Sequence, residues 1–263
     1  MLFLSYLVLG AAAGLLAGLF GIGGGLIIVP ALVFSFELQG MSPQVLTHVA
    51  VGTSLATIVV TSLSSVRTHH VKKGVRWPIF RPLAVGIAVG AILGVKTAGQ
   101  LSGPWLQLLI GGFAVLIAFQ LGLNIKPKAS KPPPGKGELV AVGGGIGWAS
   151  ALFGIGGGSL TVPYLSWKNV RMQEAVGTSA ACGLPIAVMG ALTNIEEGWG
   201  HAQLAEWSLG YVYLPAFVGI VLTSAVCARY GAQLAHRLPE LILKRTFALL
   251  LFVVGLRFIV TNI

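Results

Sequence analysis

Eight apolar stretches, most of them long enough to cross the hydrocarbon of a bilayer, leave this chain almost no way of folding in water. They run roughly over 2–36, 44–66, 78–101, 104–124, 139–165, 171–193, 207–232 and 241–262, and a membrane helix needs about 20 apolar residues. Charged residues make up only 9% of the sequence, against about 25% in soluble domains, too few to cover a wet surface of this size. A soluble enzyme is excluded on that ground. The formal charge of +10 does not point to nucleic acid, because the basic residues sit in short clusters between apolar runs. Cys182 and Cys227 lie inside apolar runs and suggest no disulfide framework and no metal site. No cofactor is expected. The first stretch has nothing basic before it, and its Gly-rich centre recurs in mid-chain, so it is expected to stay in the mature protein instead of serving as a signal peptide.

The chain is written twice. LFGIGGGLIIVP at 19–30 returns as LFGIGGGSLTVP at 152–163, 133 residues on, and VGTS at 51–54 returns at 176–179, 125 residues on. VGI at 85–87 returns at 218–220, again 133 residues on. Three words repeated in the same order define an internal duplication. Residues 1–124 form the first copy and 138–263 the second, joined by a Pro- and Lys-rich linker, 125–137, that is expected on the cytoplasmic side.

Charge says how the copies are oriented, since Lys and Arg favour the cytoplasmic face. Arg67, Lys72, Lys73, Arg76 and Arg81 cluster between the second and third stretches, whereas the matching loop of the second copy, 193–206, holds Glu196, Glu197 and Glu206 and no cation. Equivalent loops of opposite bias indicate inverted repeats. Four full crossings per copy cannot invert the second copy, because an even number restores the starting side. The expected fold is therefore all-α and polytopic, with three transmembrane helices per copy plus one re-entrant segment broken at GIGGG. That arrangement leaves only Lys96 and Arg257 of the 17 Lys and Arg on the outer side.

Four glycines in five positions, at Gly21–Gly25 and Gly154–Gly158, should break a helix, each costing about 1 kcal/mol relative to alanine. Backbone freed inside a membrane needs a protein partner or a water-filled cavity, and a half-helix N-terminus there attracts anions. Gly23, Gly24, Gly25, Gly156, Gly157 and Gly158 are thus candidate binding residues; close helix packing is the alternative. Helix two should begin at Ser42-Pro43, placing Thr53 and Ser54, and by repetition Thr178 and Ser179, at mid-membrane, where hydroxyls can donate to a substrate or to a neighbouring helix. His48, on the same helix, is a candidate for proton coupling, with Gln173 as its counterpart. His69 and His70 are assigned to the basic loop. Lys96 and Arg229, 133 residues apart, are candidate entrance cations or snorkelling residues. With no Asp, and with all seven Glu at or near segment ends, a coupled cation is disfavoured; the substrate is expected to be a small anion held by neutral donors.

The duplicated GLFGIGGG…VP run and the following VGTS helix resemble the TauE/SafE sulfite exporter family, also called toluene sulfonate uptake permeases, over essentially the whole chain. The resemblance implies a multi-pass transporter of the bacterial inner membrane, a monomer or homodimer among lipid, moving small sulfur-containing anions such as sulfite or sulfoacetate. Leu26 after the first Gly run stands where Ser159 follows the second, so the half-sites differ chemically. A membrane-embedded enzyme is opposed by the lack of HExxH, CxxC or paired carboxylates; a passive anion channel would use the same residues.

The charge bias makes a direct prediction. An impermeant thiol reagent applied from outside should modify a cysteine placed at position 200 and spare one at 74, and labelling of both would refute the inverted arrangement.

Overall fold

A computed structural model describes residues 2–20, 24–123, 134–235 and 240–263. Among the described residues there are ten helices: α1 Leu2–Phe20, α2 Gly25–Leu38, α3 Pro43–Val71, α4 Trp77–Gly99, α5 Gly103–Gly122, α6 Lys136–Leu152, α7 Gly158–Trp167, α8 Met172–Glu197, α9 Leu214–Ala235 and α10 Glu240–Thr261. A short hairpin, β1 Ser208–Leu209 and β2 Val212–Tyr213, pairs antiparallel in the loop before α9. Each Gly run interrupts its apolar stretch, so that stretches one and five become α1–α2 and α6–α7. Prolines at the first turns of α3, α4 and α5 need no backbone donor there, which is why these helices start where they do. Gly23 and most of the 125–137 linker lie outside the described residues.

Among the described residues, α3, α4, α5 and α8 are long and apolar enough to cross a membrane. Their outer faces confirm the solvent they are made for. Val85, Val89 and Leu93 form an exposed stripe one turn apart on α4, and Leu249, Val253, Leu256 and Val260 do the same on α10; apolar surface on this scale is tolerated in lipid and not in water. Trp105, Trp199 and Trp207 are exposed at or beyond helix ends, the depth at which tryptophan prefers to sit. Charges pair at the ends as well: Glu37 with Arg257 at 2.6 Å, Glu138 with Lys168 at 2.6 Å, Glu197 with Lys96 at 3.7 Å and Glu174 with Arg76 at 3.6 Å. This is an all-α, multi-pass membrane protein.

Helices from one copy pack on helices from the other. In α4 and α6, running in the same direction, Gly86 meets Val140, Gly90 meets Gly144 and Gly94 meets Trp148, backbone against backbone. In α1 and α9, Gly10 meets Ile220 and Gly14 meets Ser224 in the same way. The corresponding helices α3 and α8 form the buried centre and run antiparallel, with Leu55 against Gly190 and Ser62 against Gly183. α5 and α10 are antiparallel too, Gly111 lying against Gly255 and Phe119 against Phe252.

The contacts are reciprocal down to single hydrogen bonds. The Tyr213 N–H donates to Thr53 Oγ1 at 2.9 Å, and the Arg76 N–H donates to Thr178 Oγ1 at 3.0 Å. The Gly74 N–H reaches the His69 carbonyl at 2.9 Å, and the Tyr211 N–H reaches the Asn194 carbonyl at 3.0 Å. These pairs align the loops before α4 and α9 at an offset of 137 (213 minus 76, 211 minus 74), and the helices follow, Gly143 facing Leu83 where Gly10 faces Ile220 (220 minus 83). The VGI match at 133 is therefore one helical turn out of step, a shift that keeps side chains on nearly the same face and so hides in the sequence. Lys96 and Arg229 are consequently not strict equivalents.

The tight α4–α6 crossing can be tested with two substitutions. Gly90→Val drives a side chain into the Gly144 backbone and should cost about 1–3 kcal/mol, read as a lower Tm of the purified protein. Gly112, with no neighbouring atom within 4 Å of where its Cβ would be, should accept alanine with unchanged or slightly higher Tm. Equal responses would mean that the glycine contact is not what holds the pair.

Candidate functional site

The two helix breaks cross at one point. A Cβ at Gly25 would stand 2.5 Å from the Gly154 carbonyl oxygen and 2.7 Å from Ile155 Cα, so the start of α2 is laid directly on the break before α7. Gly154 has φ +67°, a left-handed conformation that side chains disfavour. Gly24 and Gly157 cap α2 and α7 with nearly the same backbone, φ −62°, ψ −20° and φ −61°, ψ −17°. In each half-helix the first intrahelical bonds run back to the capping glycine, from the Ile28 N–H to Gly24 at 2.8 Å and from the Thr161 N–H to Gly157 at 2.9 Å. The Ile27 N–H also reaches the Gly24 carbonyl, at 3.0 Å. The N–H groups ahead of Ile27 in α2 and of Thr161 in α7 lie in the first turn, where no i−4 carbonyl of the helix is available, and they carry the positive end of the helix dipole.

A cavity of about 380 Å³ begins at these glycines and follows α3 and α8 toward the C-terminal end of α3. Gly24, Gly156, Gly157 and Gly158 line it, as do Thr61, Ser62, Ser65, His69, Ser179 and Ser224. Among the described residues the rest of the wall is glycine and aliphatic side chains, with no Lys, Arg or Glu. Ser179 is 1% exposed and Ser224 4%, yet neither hydroxyl has a hydrogen-bond partner among the described residues. Buried polar atoms are nearly always partnered, which makes these two hydroxyls, Ser179 beside Gly157 and Ser224 beside Gly14, candidate contacts for a bound group.

The sequence candidates separate into distinct roles. Gly24, Gly156, Gly157, Gly158 and Ser179 come together on the cavity, while Gly25 serves the crossing of the breaks. Thr53 and Thr178 use their hydroxyl oxygens to accept the Tyr213 and Arg76 N–H groups, which ties the loops before α9 and α4 to the central helices. Ser54 donates to the Gly154 carbonyl at 2.8 Å. Ser159 has a buried hydroxyl with no partner and is not part of the cavity wall. His48 donates from Nε2 to the Ala98 carbonyl at 3.0 Å, and its ring lies 5.3 Å from that of Tyr211, away from the cavity. Lys96 is paired with Glu197. Arg229 lies in α9, and its side chain is outside the described residues.

Sequence reasoning overlooked Thr61, Ser62, Ser65 and His69. A signal was available, because Ile58, Ser62, Ser65 and His69 are spaced three or four apart on one helical face. Ending helix two near 66 concealed it: α3 runs on to Val71 and carries His69 onto the cavity face instead of leaving it in the loop. Nothing in the sequence marks Ser224.

Apolar spans, interrupted helices meeting in the interior and a neutral cavity between them define a membrane transporter. Residues 6–258 match the family described as Sulfite exporter TauE/SafE, and the chain belongs to that family. It is 39% identical over 252 residues to a probable membrane transporter protein of Haemophilus influenzae, covering 95% of both chains. A probable membrane transporter protein of Methanocaldococcus jannaschii, MJ0441, is 25% identical over 95% of this chain and 92% of its own. YunE, a probable membrane transporter protein of Bacillus subtilis, is 31% identical over 75% of this chain and 80% of its own.

Serine and threonine substitutions should behave oppositely. Ser179→Ala removes a free donor and is expected to weaken anion binding roughly tenfold, the effect of about 1.5 kcal/mol for a hydrogen bond to a charged group, with Tm nearly unchanged. Thr178→Val strands the Arg76 N–H and should lower stability by about 1–3 kcal/mol. Calorimetric titration and thermal unfolding measure the two quantities, and a swap of the two outcomes would refute the assignment.

Proposed function

We propose that the protein is a secondary transporter of small sulfur oxyanions or organosulfonates, such as sulfite or sulfoacetate, exporting them across the bacterial inner membrane. The observation that carries this reading is the Ser179 hydroxyl, buried and unpartnered, beside the N-terminus of α7 in a cavity that bears no fixed charge among the described residues. An anion there meets backbone N–H groups, hydroxyls and a helix dipole. An empty site of this kind leaves no desolvated ion behind, which suits a carrier that must reorient unloaded. A few charge-assisted hydrogen bonds of roughly 1.5–3 kcal/mol each, set against the cost of immobilising the ligand, give affinities on the order of micromolar to millimolar. The sulfur-containing substrate is taken from the family description, not from the geometry, which asks only for a compact anion.

The reading includes alternating access between two inverted repeats. Its support is the antiparallel pairing of α3 with α8 and of α5 with α10, together with reciprocal hydrogen bonds at Thr53 and Thr178. His69 replaces His48 as the titratable group nearest the substrate path, since it lines the cavity and His48 does not.

Purified protein screened by thermal shift against sulfite, sulfate, thiosulfate, sulfoacetate and taurine should be stabilised by its substrate in proportion to occupancy, and liposomes containing it should take up that anion with saturation. Gly157→Val, whose side chain would press on Ser179 and Gly183 of α8, should abolish uptake. Normal uptake by this variant would return the glycines to a packing role, and flux that never saturates would identify a channel.

A further inference from the structure

The cavity occupies one half of the molecule, and the other half is shut at the same positions. The reciprocal contacts fix the correspondence, with α3 matching α8 at an offset of 125, α2 matching α7 at 133 and α4 matching α9 at 137. Carried across, the cavity residues Ser62, Ser65 and His69 become Ala187, Gly190 and Asn194, Ser179 becomes Ser54 and Ile28 becomes Thr161. Every one of these counterparts is buried, whereas Ser65 and His69 are partly exposed; Ile28, Ser62 and Ser179 are buried as their counterparts are. The two halves share their backbone contacts, and the space that reaches Ser65 and His69 is closed at Gly190 and Asn194.

The shut half is equipped as a site. Thr161 is 0% exposed, and its hydroxyl has no partner among the described residues, the condition of Ser179 in the open half. The Asn194 amide is turned back onto the Gly190 carbonyl of its own helix at 2.8 Å. Ser54, the mate of the free Ser179, donates to the Gly154 carbonyl at 2.8 Å, across the point where the breaks meet. One serine of the pair is a free donor and the other is tied down. The movable parts are also recognisable. Backbone contact makes α1–α9 one rigid pair and α4–α6 another; α4 lies along α8, while α9 touches α3 more sparsely among the described residues.

We infer that the shut half is a second anion site, mutually exclusive with the open one, in which Ser54, Thr161 and Asn194 supply the donors, and that the Ser54–Gly154 hydrogen bond is the latch holding it closed. This rests on the transport reading above and adds the residues of the opposite-facing state. When α1–α9 closes on α3, α4–α6 swings off α8, the latch opens, and Ser54 faces the anion as Ser179 does here.

The test uses the full chain in liposomes, with Cys182→Ala and Cys227→Ser, and single cysteines introduced as Ser65→Cys or Ala187→Cys. With Ser54 intact, Ser65→Cys should react quickly with an impermeant maleimide and Ala187→Cys slowly. Adding Ser54→Ala should raise the Ala187→Cys rate about fivefold, equivalent to about 1 kcal/mol in the conformational equilibrium, and lower that of Ser65→Cys. A second measurement leaves Ser54 in place: in the doubly substituted protein, maleimide attached at Ala187→Cys from the side of the 198–213 loop should cut later labelling of Ser65→Cys from the opposite side at least tenfold. Rates indifferent to Ser54→Ala overturn the latch, and independent labelling of both cysteines overturns the mutually exclusive site. If both labelling results are as expected but neither sulfite nor sulfoacetate moves, the two-state site stands and the transport reading fails.

Discussion

Backbone polar groups freed in the middle of a membrane have no water to turn to, and the whole arrangement follows from how this chain provides for them. Each Gly run ends one helix and starts another in the interior, exposing carbonyls at one terminus and N–H groups at the next. The carbonyl of Gly154 is taken by Ser54, a side chain from the other copy. Gly157 and Gly158, where α7 begins, line the cavity. Donor and acceptor are thus disposed of differently: the acceptor is fixed within the protein, and the donors are left for something that arrives. In the proposed reading such a site prefers anions before any charged residue is considered, because the positive end of a half-helix faces it.

Packing in lipid supplies the framework for this. Lipid tails are as apolar as leucine, so helices associate through close contact rather than through exclusion of water. Here glycine brings α4 onto α6 and α1 onto α9 until backbones touch, while hydroxyls are concentrated on the central α3. At the end away from the cavity, Tyr6, Phe36 and Tyr213 pack edge to face with centroids 5.7–6.4 Å apart, a denser plug than the serines of the open side. Rigid outer pairs around a hydroxylated seam confine rearrangement to the seam itself.

Much of this was legible in the residues. Apolar length gave the spans, glycine density gave both breaks, and the duplication gave the pairing of the breaks with the VGTS helices. What could not be read was which hydroxyl of each VGTS is free. Neighbouring residues on a helix point about 100° apart, since 3.6 residues complete a turn, so Thr53 reaches the hairpin loop and Ser54 the Gly break. The same words in the second copy have different fates, Ser54 being bonded and Ser179 free. His69 was misplaced for a simpler reason: Thr68, His69 and His70 look like loop, yet the helix continues through them. The one-turn slip of VGI illustrates the limit of matching short words in helices, where a shift of four residues barely changes the face presented.

The two halves are alike in backbone and unlike in chemistry, and the difference bears on direction. Ser62, Ser65 and His69 of the open half correspond to Ala187, Gly190 and Asn194 in the shut one, and Ile28 to Thr161. Among these pairs the open half carries a titratable ring and the shut half does not, so on the proposed reading the two faces hold an anion with different strength. Unequal affinity, however, cannot by itself drive net movement: a ligand shifts the balance of two states only by its differential affinity for them, and around a closed cycle those differences cancel. A weaker outward site speeds release and lowers the concentration against which export stalls only if a gradient supplies the work. Among the described residues of the wall, His69 is the group able to admit such a gradient, since an imidazole changes charge near neutral pH and its counterpart amide does not. Coupling to protons would then be built into one face of the cycle and absent from the other, which is the asymmetry a directional carrier needs and which a perfectly repeated sequence would lack.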